Sequence, residues 1–268
     1  MARRVPDGPP PPPIVQRVRL RYAKRGRLRF ISHRDFARAF ERALRRAEVP
    51  MAYSAGFHPH PKISYLGAAP TGVASEAEFL EIALAVETDV EQLRIRIGTA
   101  LPDGLDVLEA VTAGPGSLAE RIEASHWRLE LPGTSEDAAR TAVEVFLAQE
   151  QVMVERLTKD GRRMLDARAP VVSAVVSAGV PAGRSSGASP GTERPDRVPR
   201  AILDVVVRQV TPAVRPDDVL TALRSVAGLA LDVPPVAVRL AQGPLNDAGE
   251  VGDPLSHDRA PAGTAPQN

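Results

Sequence analysis

The residues best suited to chemistry lie near the start of the chain. Gly56-Phe57-His58-Pro59-His60-Pro61-Lys62 brings two imidazoles and an ammonium into seven residues, and its two prolines stiffen the backbone that carries them. A third imidazole, His33, stands upstream beside Asp35. Imidazole titrates near neutrality, so His33 or His60, with Lys62 as a neighbouring cation, could take the 2′-hydroxyl proton in phosphodiester cleavage. His33, His58 and His60 could instead ligate a metal, although no carboxylate obviously completes that set. They could also simply hydrogen-bond backbone and RNA. The catalytic candidates are thus His33, His60 and Lys62, and no metal ligand is assigned.

Charge is the second signal. Residues 17–46 hold twelve of the 34 Lys and Arg against two acids, Asp35 and Glu41, while the whole chain stands at +1. That segregation points to a polyanionic partner. Arg17, Arg19, Arg21, Lys24, Arg25, Arg27, Arg29, Arg38, Arg42, Arg45 and Arg46, with His60 and Lys62, are the candidate nucleic-acid-binding residues. Alternate residues of a strand repeat every ~6.6 Å, comparable with phosphate spacing, so Arg17, Arg19 and Arg21 could present a matching row. The competing reading pairs that row with Glu76, Glu78 and Glu81, which could otherwise ligate a metal. Arginine outnumbers lysine 31 to 3, so single arginines can be compositional background. Arg34, Arg38, Arg42 and Arg45 crowd one helix surface, where like charges at i,i+4 cost a few tenths of a kcal/mol each. An anionic partner would compensate that repulsion, as would acids from a second domain.

These residues need elements to hold them. Val18, Leu20 and Tyr22 alternate with the arginines as a half-buried strand, Lys24–Arg27 forms a basic turn, and Leu28–Ile31 reads as a short extended piece. Ser32 with Asp35 caps a helix whose Phe36, Phe40, Ala43, Leu44 and Ala47 share one face, stopped by Pro50. Ile63–Leu66 and Glu76–Val86 read as strands, followed by a helix from Thr88 or Asp89 and a strand over Gly104–Val111. The order β-α-β-β-α-β predicts a ferredoxin-like module over residues 14–115. A second one is expected over 120–241. Its strands are read at Ala124–Leu131, Gln151–Leu157 (with Arg162–Ala167 pairing after a turn), Ala201–Val210 and Val236–Leu240. Its helices are read from Ser135 and over Pro216–Ala227, with a flexible insertion at 177–199. Residues 1–13 read as a disordered Pro-rich arm and 242–268 as a disordered tail. The predicted class is α+β, two modules in tandem.

Composition excludes several functions. With no cysteine there is no disulfide, zinc–thiolate site or thiolate-held iron–sulfur cluster. No P-loop, dinucleotide fingerprint or nucleophile elbow is present, so no cofactor is expected. No apolar run reaches membrane-spanning length and no signal peptide is evident, so the expectation is a soluble cytoplasmic protein without membrane contact.

The run FISHRDFARAFERALRRAEVPMAYSAGFHPHPKISYLGAAPTGVASEAEFLEIAL resembles a bacterial family of unknown function associated with radical SAM proteins. The resemblance spans about residues 14–240. It is strongest at Ser32-His33-x-Asp35, Phe40–Arg46 and Gly56–Lys62, with Arg38, Tyr53 and Lys62 also on the pattern. Two positions depart from it: the family usually has leucine at Arg34 and asparagine at His58, which leaves His60 the better candidate. The resemblance implies a stand-alone form of a domain often found C-terminal to a radical SAM, cobalamin-binding protein, and hence a radical SAM partner on a separate chain. At the level of fold alone, the arrangement is similar to CRISPR repeat-processing endoribonucleases and their RAMP relatives. The expected function is an accessory protein that binds RNA and presents it to that partner. The rivals are a metal-independent endoribonuclease and a protein–protein adaptor without RNA.

Overall fold

In this computed structural model residues 12–55, 57–158, 161–179 and 200–259 are described. They divide into two units, one reaching to Arg121 and resuming at Asp253, the other Ile122–Gly252. Among the described residues, ten strands and four α-helices make a mixed α+β chain.

In the first unit, β1 (Gln16–Lys24) sends Val18, Leu20 and Tyr22 into the core. The extended piece expected at Leu28–Ile31 is instead a 3-10 turn, Gly26–Phe30. Gly26 takes φ +53°, a left-handed value that glycine adopts without strain, and the Arg25 carbonyl then accepts Leu28 N–H at 3.0 Å. Helix α1 (His33–Arg46) starts at Ser32, whose Oγ accepts Asp35 N–H at 3.2 Å. It buries Phe36, Ala39, Phe40, Ala43 and Leu44. Strands β2 (Ile63–Leu66) and β3 (Ala74–Leu84) follow, then α2 (Val90–Ala100), where Asp89 Oδ1 accepts Gln92 N–H at 2.8 Å, and β4 (Leu105–Thr112). The sheet order is β4-β1-β3-β2 with every pairing antiparallel. Losing the Ser32 hydroxyl leaves a helix-end donor unpaired, so Ser32→Ala costs about 1 kcal/mol. A denaturant titration followed by tyrosine signals reads this directly, because all three tyrosines lie in the first unit.

The second unit runs β5 (Ala124–Pro132), α3 (Glu136–Leu147), β6 (Met153–Thr158), β7 (Gly161–Asp166), β8 (Val171–Ala178), β9 (Arg200–Arg208), α4 (Pro216–Ala227) and β10 (Val236–Gly243). Its sheet order is β10-β5-β9-β8, again antiparallel. The expected sheet strand at 151–157 is β6, but among the described residues it pairs only with β7, as a separate two-stranded ribbon. Val154 is buried there while Met153 and Leu157 are exposed, which suits a ribbon with one covered side. The position beside β9 goes to β8. Its sequence, VVSAVVSA, is β-branched and uncharged, yet it merges in composition with the Ser/Gly-rich residues that follow, which hides it as a separate strand. Ser177 and Ala178, assigned to a flexible insertion, are strand residues; 180–199 lie outside the described residues. Arg156 of β6 pairs with the buried Asp218 of α4, and Asp218 also accepts Arg215 N–H at 2.6 Å.

The tail expected to be disordered from 242 is ordered as far as the described residues go. Gln242 and Gly243 end β10, Leu245 bridges Val251, and a 3-10 turn at Ser256–Asp258 belongs to the first unit. Residues 260–268 and 1–11 lie outside the described set. Among the described residues no helix is long and apolar enough to cross a membrane.

Candidate nucleic-acid interface

The predicted cations separate into two groups. Most of those on and just after β1 have a partner within the protein. Arg17 Nη1 donates to Glu81 Oε1 at 2.9 Å and Arg19 Nε to Glu81 Oε2 at 3.0 Å. Arg19 is almost fully buried and also donates to both oxygens of Asp258 at 2.8 Å. Arg21 Nε reaches the Glu76 carbonyl at 2.9 Å, and Arg25 bridges Glu76 and Asp106. Buried Lys24 donates to the Ala69 and Pro70 carbonyls at 3.1 and 3.3 Å. The open row of strand guanidiniums is therefore not what this face presents. Arg19 and Glu81 are direct cross-strand partners, and a charge taken out of water is held only by such a partner. Glu76 and Glu81 serve these pairs, while buried Glu78 accepts Ala69 N–H at 3.1 Å.

The second group stays open. Arg27, Arg34, Arg38, Arg42, Arg45 and Arg46 are exposed, and Arg29 is half-buried with its guanidinium 4.7 Å over the Phe30 ring. Among the described residues the sole carboxylate partner in this group is Asp35, 3.7 Å from Arg38 with both side chains mostly in water. At 100° per residue, Arg34, Arg38, Arg42 and Arg45 fall within an arc of about 80° opposite the buried Phe36–Ala43 face, over roughly 16 Å of helix. Exposed Phe30, Tyr53 and Phe57 belong to the same unit.

The His-Pro loop is closed at its base. Tyr53 bridges Pro61, Ser54 N–H donates to the His60 carbonyl at 2.9 Å, and His60 N–H returns to Ser54 Oγ at 3.0 Å. Its tip carries Phe57 and His58, and His60 and Lys62 flank it, all exposed. The loop runs directly into β2, whose Tyr65 ring takes the His33 imidazole edge-on at 5.1 Å. Tyr22 stacks on Phe36 at 4.5 Å, and Phe36 meets Tyr65 edge-on at 5.9 Å, so a ladder of rings fixes His33 at the start of α1. The Tyr65 hydroxyl is buried without a partner; burial, and then the Glu41 carboxylate, push its pKa well up. Periodicity gives no sign of Tyr65's role, because the groups it meets, His33, Phe36 and Glu41, belong to α1, some 24–32 positions earlier in the chain. Among the described residues no three His, Asp or Glu side chains converge to hold a metal, so His33, His58 and His60 are not brought together as ligands.

These features define an α+β chain of two units whose first unit carries an exposed cationic helix beside aromatic and imidazole side chains. The family model for an uncharacterized protein conserved in bacteria, DUF2344, matches residues 17–216, and the chain belongs to that family. No curated protein matches it.

Proposed function

We propose that the protein binds RNA through the first unit and, as the resemblance implies, presents it to a radical SAM partner on another chain. The observation that carries this is the outward face of α1. Four arginines share one stripe with a single, loose internal carboxylate, while each arginine of β1 has a partner within the protein. A chain that leaves several like charges adjacent on a helix forgoes a few tenths of a kcal/mol per pair, and phosphate is the counter-charge that recovers it. Exposed Phe30, Tyr53 and Phe57 offer surfaces on which unpaired bases can stack. The strand order β4-β1-β3-β2 supports a ferredoxin-like reading of this unit, and β10-β5-β9-β8 supports the same reading of the second. In this reading the strand face is not the RNA platform; Arg27, Arg29, the α1 arginines, His60 and Lys62 are.

A titration of labelled single-stranded RNA at several salt concentrations tests the proposal. Each phosphate neutralised contributes about −0.7 to the slope of log affinity against log salt, so four or more contacts give a slope near −3 or steeper. A slope near zero, or no binding at low salt, rejects it. Cleavage of that RNA in EDTA, abolished by His60→Ala with binding retained, would replace the accessory role with the endoribonuclease reading. Capture of a radical SAM protein that survives nuclease treatment, without RNA affinity, would favour the adaptor.

A further inference from the structure

On the sheet face away from α1 and α2, the first unit has a half-open cavity of about 430 Å³. Its floor is Arg17 and Arg19 of β1, Glu81 of β3 and Ser64 and Leu66 of β2, and its wall is the Gly114–Ala119 segment. This size is within the ~300–1,000 Å³ of small-molecule sites. We propose that it binds a small organic anion, a carboxylate or a phosphate monoester, with the anionic group on Arg17 and the apolar body against Leu66, Leu118 and Ala119. The inference is independent of RNA binding by α1.

Charge and hydrogen-bond inventory carry the assignment. Arg17, Glu81, Arg19, Asp258 and Arg121 form one alternating chain of ion pairs, three cations against two carboxylates. The neighbouring Arg259 is answered separately by Glu109 and Asp253, outside the cavity lining. Arg19 has a partner at each of its three nitrogens: its Nε goes to Glu81, Nη1 to Asp258 and Nη2 to the Gly116 carbonyl. Arg121 is held by Asp258 and the Pro254 and Pro115 carbonyls. The uncompensated charge therefore rests on Arg17, which spends Nη1 on Glu81 and is 52% exposed. A guanidinium presents five N–H donors in a planar fork that matches two oxygens of a carboxylate or phosphate. The Ser64 and Ser117 hydroxyls add polar contacts on a lining that is otherwise partly apolar. A compact oxyanion with an apolar body satisfies all of these groups, whereas a bare inorganic anion leaves the apolar wall unused.

Calorimetric titration of the full chain with hexanoate, adenosine 5′-monophosphate and inorganic phosphate tests the site. At least one organic anion is expected to bind tenfold or more tightly than inorganic phosphate, and which of the two does so assigns the head group. Arg17→Gln weakens that binding at least tenfold, the cost of one charge-assisted contact. Ser117→Trp, which fills the cavity from an exposed position, abolishes it. Arg38→Gln on α1 leaves it unchanged. Absence of saturable binding of either organic anion up to about 10 mM, weaker than any useful site, overturns the proposal. So does binding that survives Arg17→Gln or is lost in Arg38→Gln, which would move the anion to the α1 stripe.

Discussion

Asp258→Ala lowers the unfolding free energy of the first unit by about 3–5 kcal/mol, the usual cost of deleting one partner from a buried ion pair. The Asp258 carboxylate is fully enclosed and accepts from Arg19 Nη1 at 2.8 Å, Arg121 Nη1 at 2.8 Å and Gly114 N–H at 2.9 Å. A Cβ at Gly114 would sit 2.8 Å from Asp258 Oδ1, so only glycine lets the main chain come this close. With Asp258 gone, Arg19 keeps Glu81 but remains buried with an unmatched Nη1 edge. Globular units have only ~5–15 kcal/mol to lose, so the variant is near its limit. The single tryptophan, Trp127, lies in the second unit, and the three tyrosines lie in the first. The tyrosine-detected denaturant midpoint should fall while the tryptophan-detected one holds; equal shifts in both would refute the assignment. The pH dependence is a second readout. Burial by itself pushes the Asp258 carboxyl up, but the hydrogen bonds from Arg19, Arg121 and Gly114 N–H outweigh it and hold its pKa below the usual range. A carboxylate depressed on folding contributes fully at neutral pH, and its contribution is lost as pH falls from about 4 downward. Wild type should lose stability over that window more steeply than Asp258→Ala.

Replacing Arg34, Arg38 and Arg45 together by glutamine should weaken RNA affinity about a hundredfold at moderate salt, at ~1 kcal/mol per exposed phosphate contact, and flatten the salt slope by about two. The same variant should be slightly more stable than wild type, because Arg34/Arg38 and Arg38/Arg42 repulsions disappear at a few tenths of a kcal/mol each. Opposite signs for binding and stability distinguish a partner-facing stripe from a structural one. Arg25→Gln is the matched control. It removes a cation of the same basic segment whose exposed pairs with Glu76 and Asp106 are worth at most ~1 kcal/mol, and RNA affinity should change by less than a factor of about three. Equal losses in the two variants would mean that net charge alone governs binding.

The site was legible in part. The helical stripe follows from local rules: Ser32 and Asp35 cap the helix, Phe36 and Phe40 choose its inner face, and the arginines take what is left. The β1 arginines were misjudged because alternation fixes the face a side chain takes and says nothing about what covers it. The covering group for Arg19 is 239 positions away. The ribbon β6–β7 illustrates the same point for the fold, since Gln151–Leu157 has the right period for a strand but not the neighbours to enter the sheet.

Periodicity, caps and turn residues act over a few positions, so the amino-acid sequence by itself determined most of the helices and strands, the two-part division and the placement of positive charge. Which strands lie side by side, and which guanidiniums meet a carboxylate, depended on contacts between residues far apart along the chain. Burial makes such a meeting obligatory for a charge like that of Arg19, while the α1 arginines, facing water, needed none. Tertiary structure alone drew the line between cations that hold the protein together and cations left available to something else.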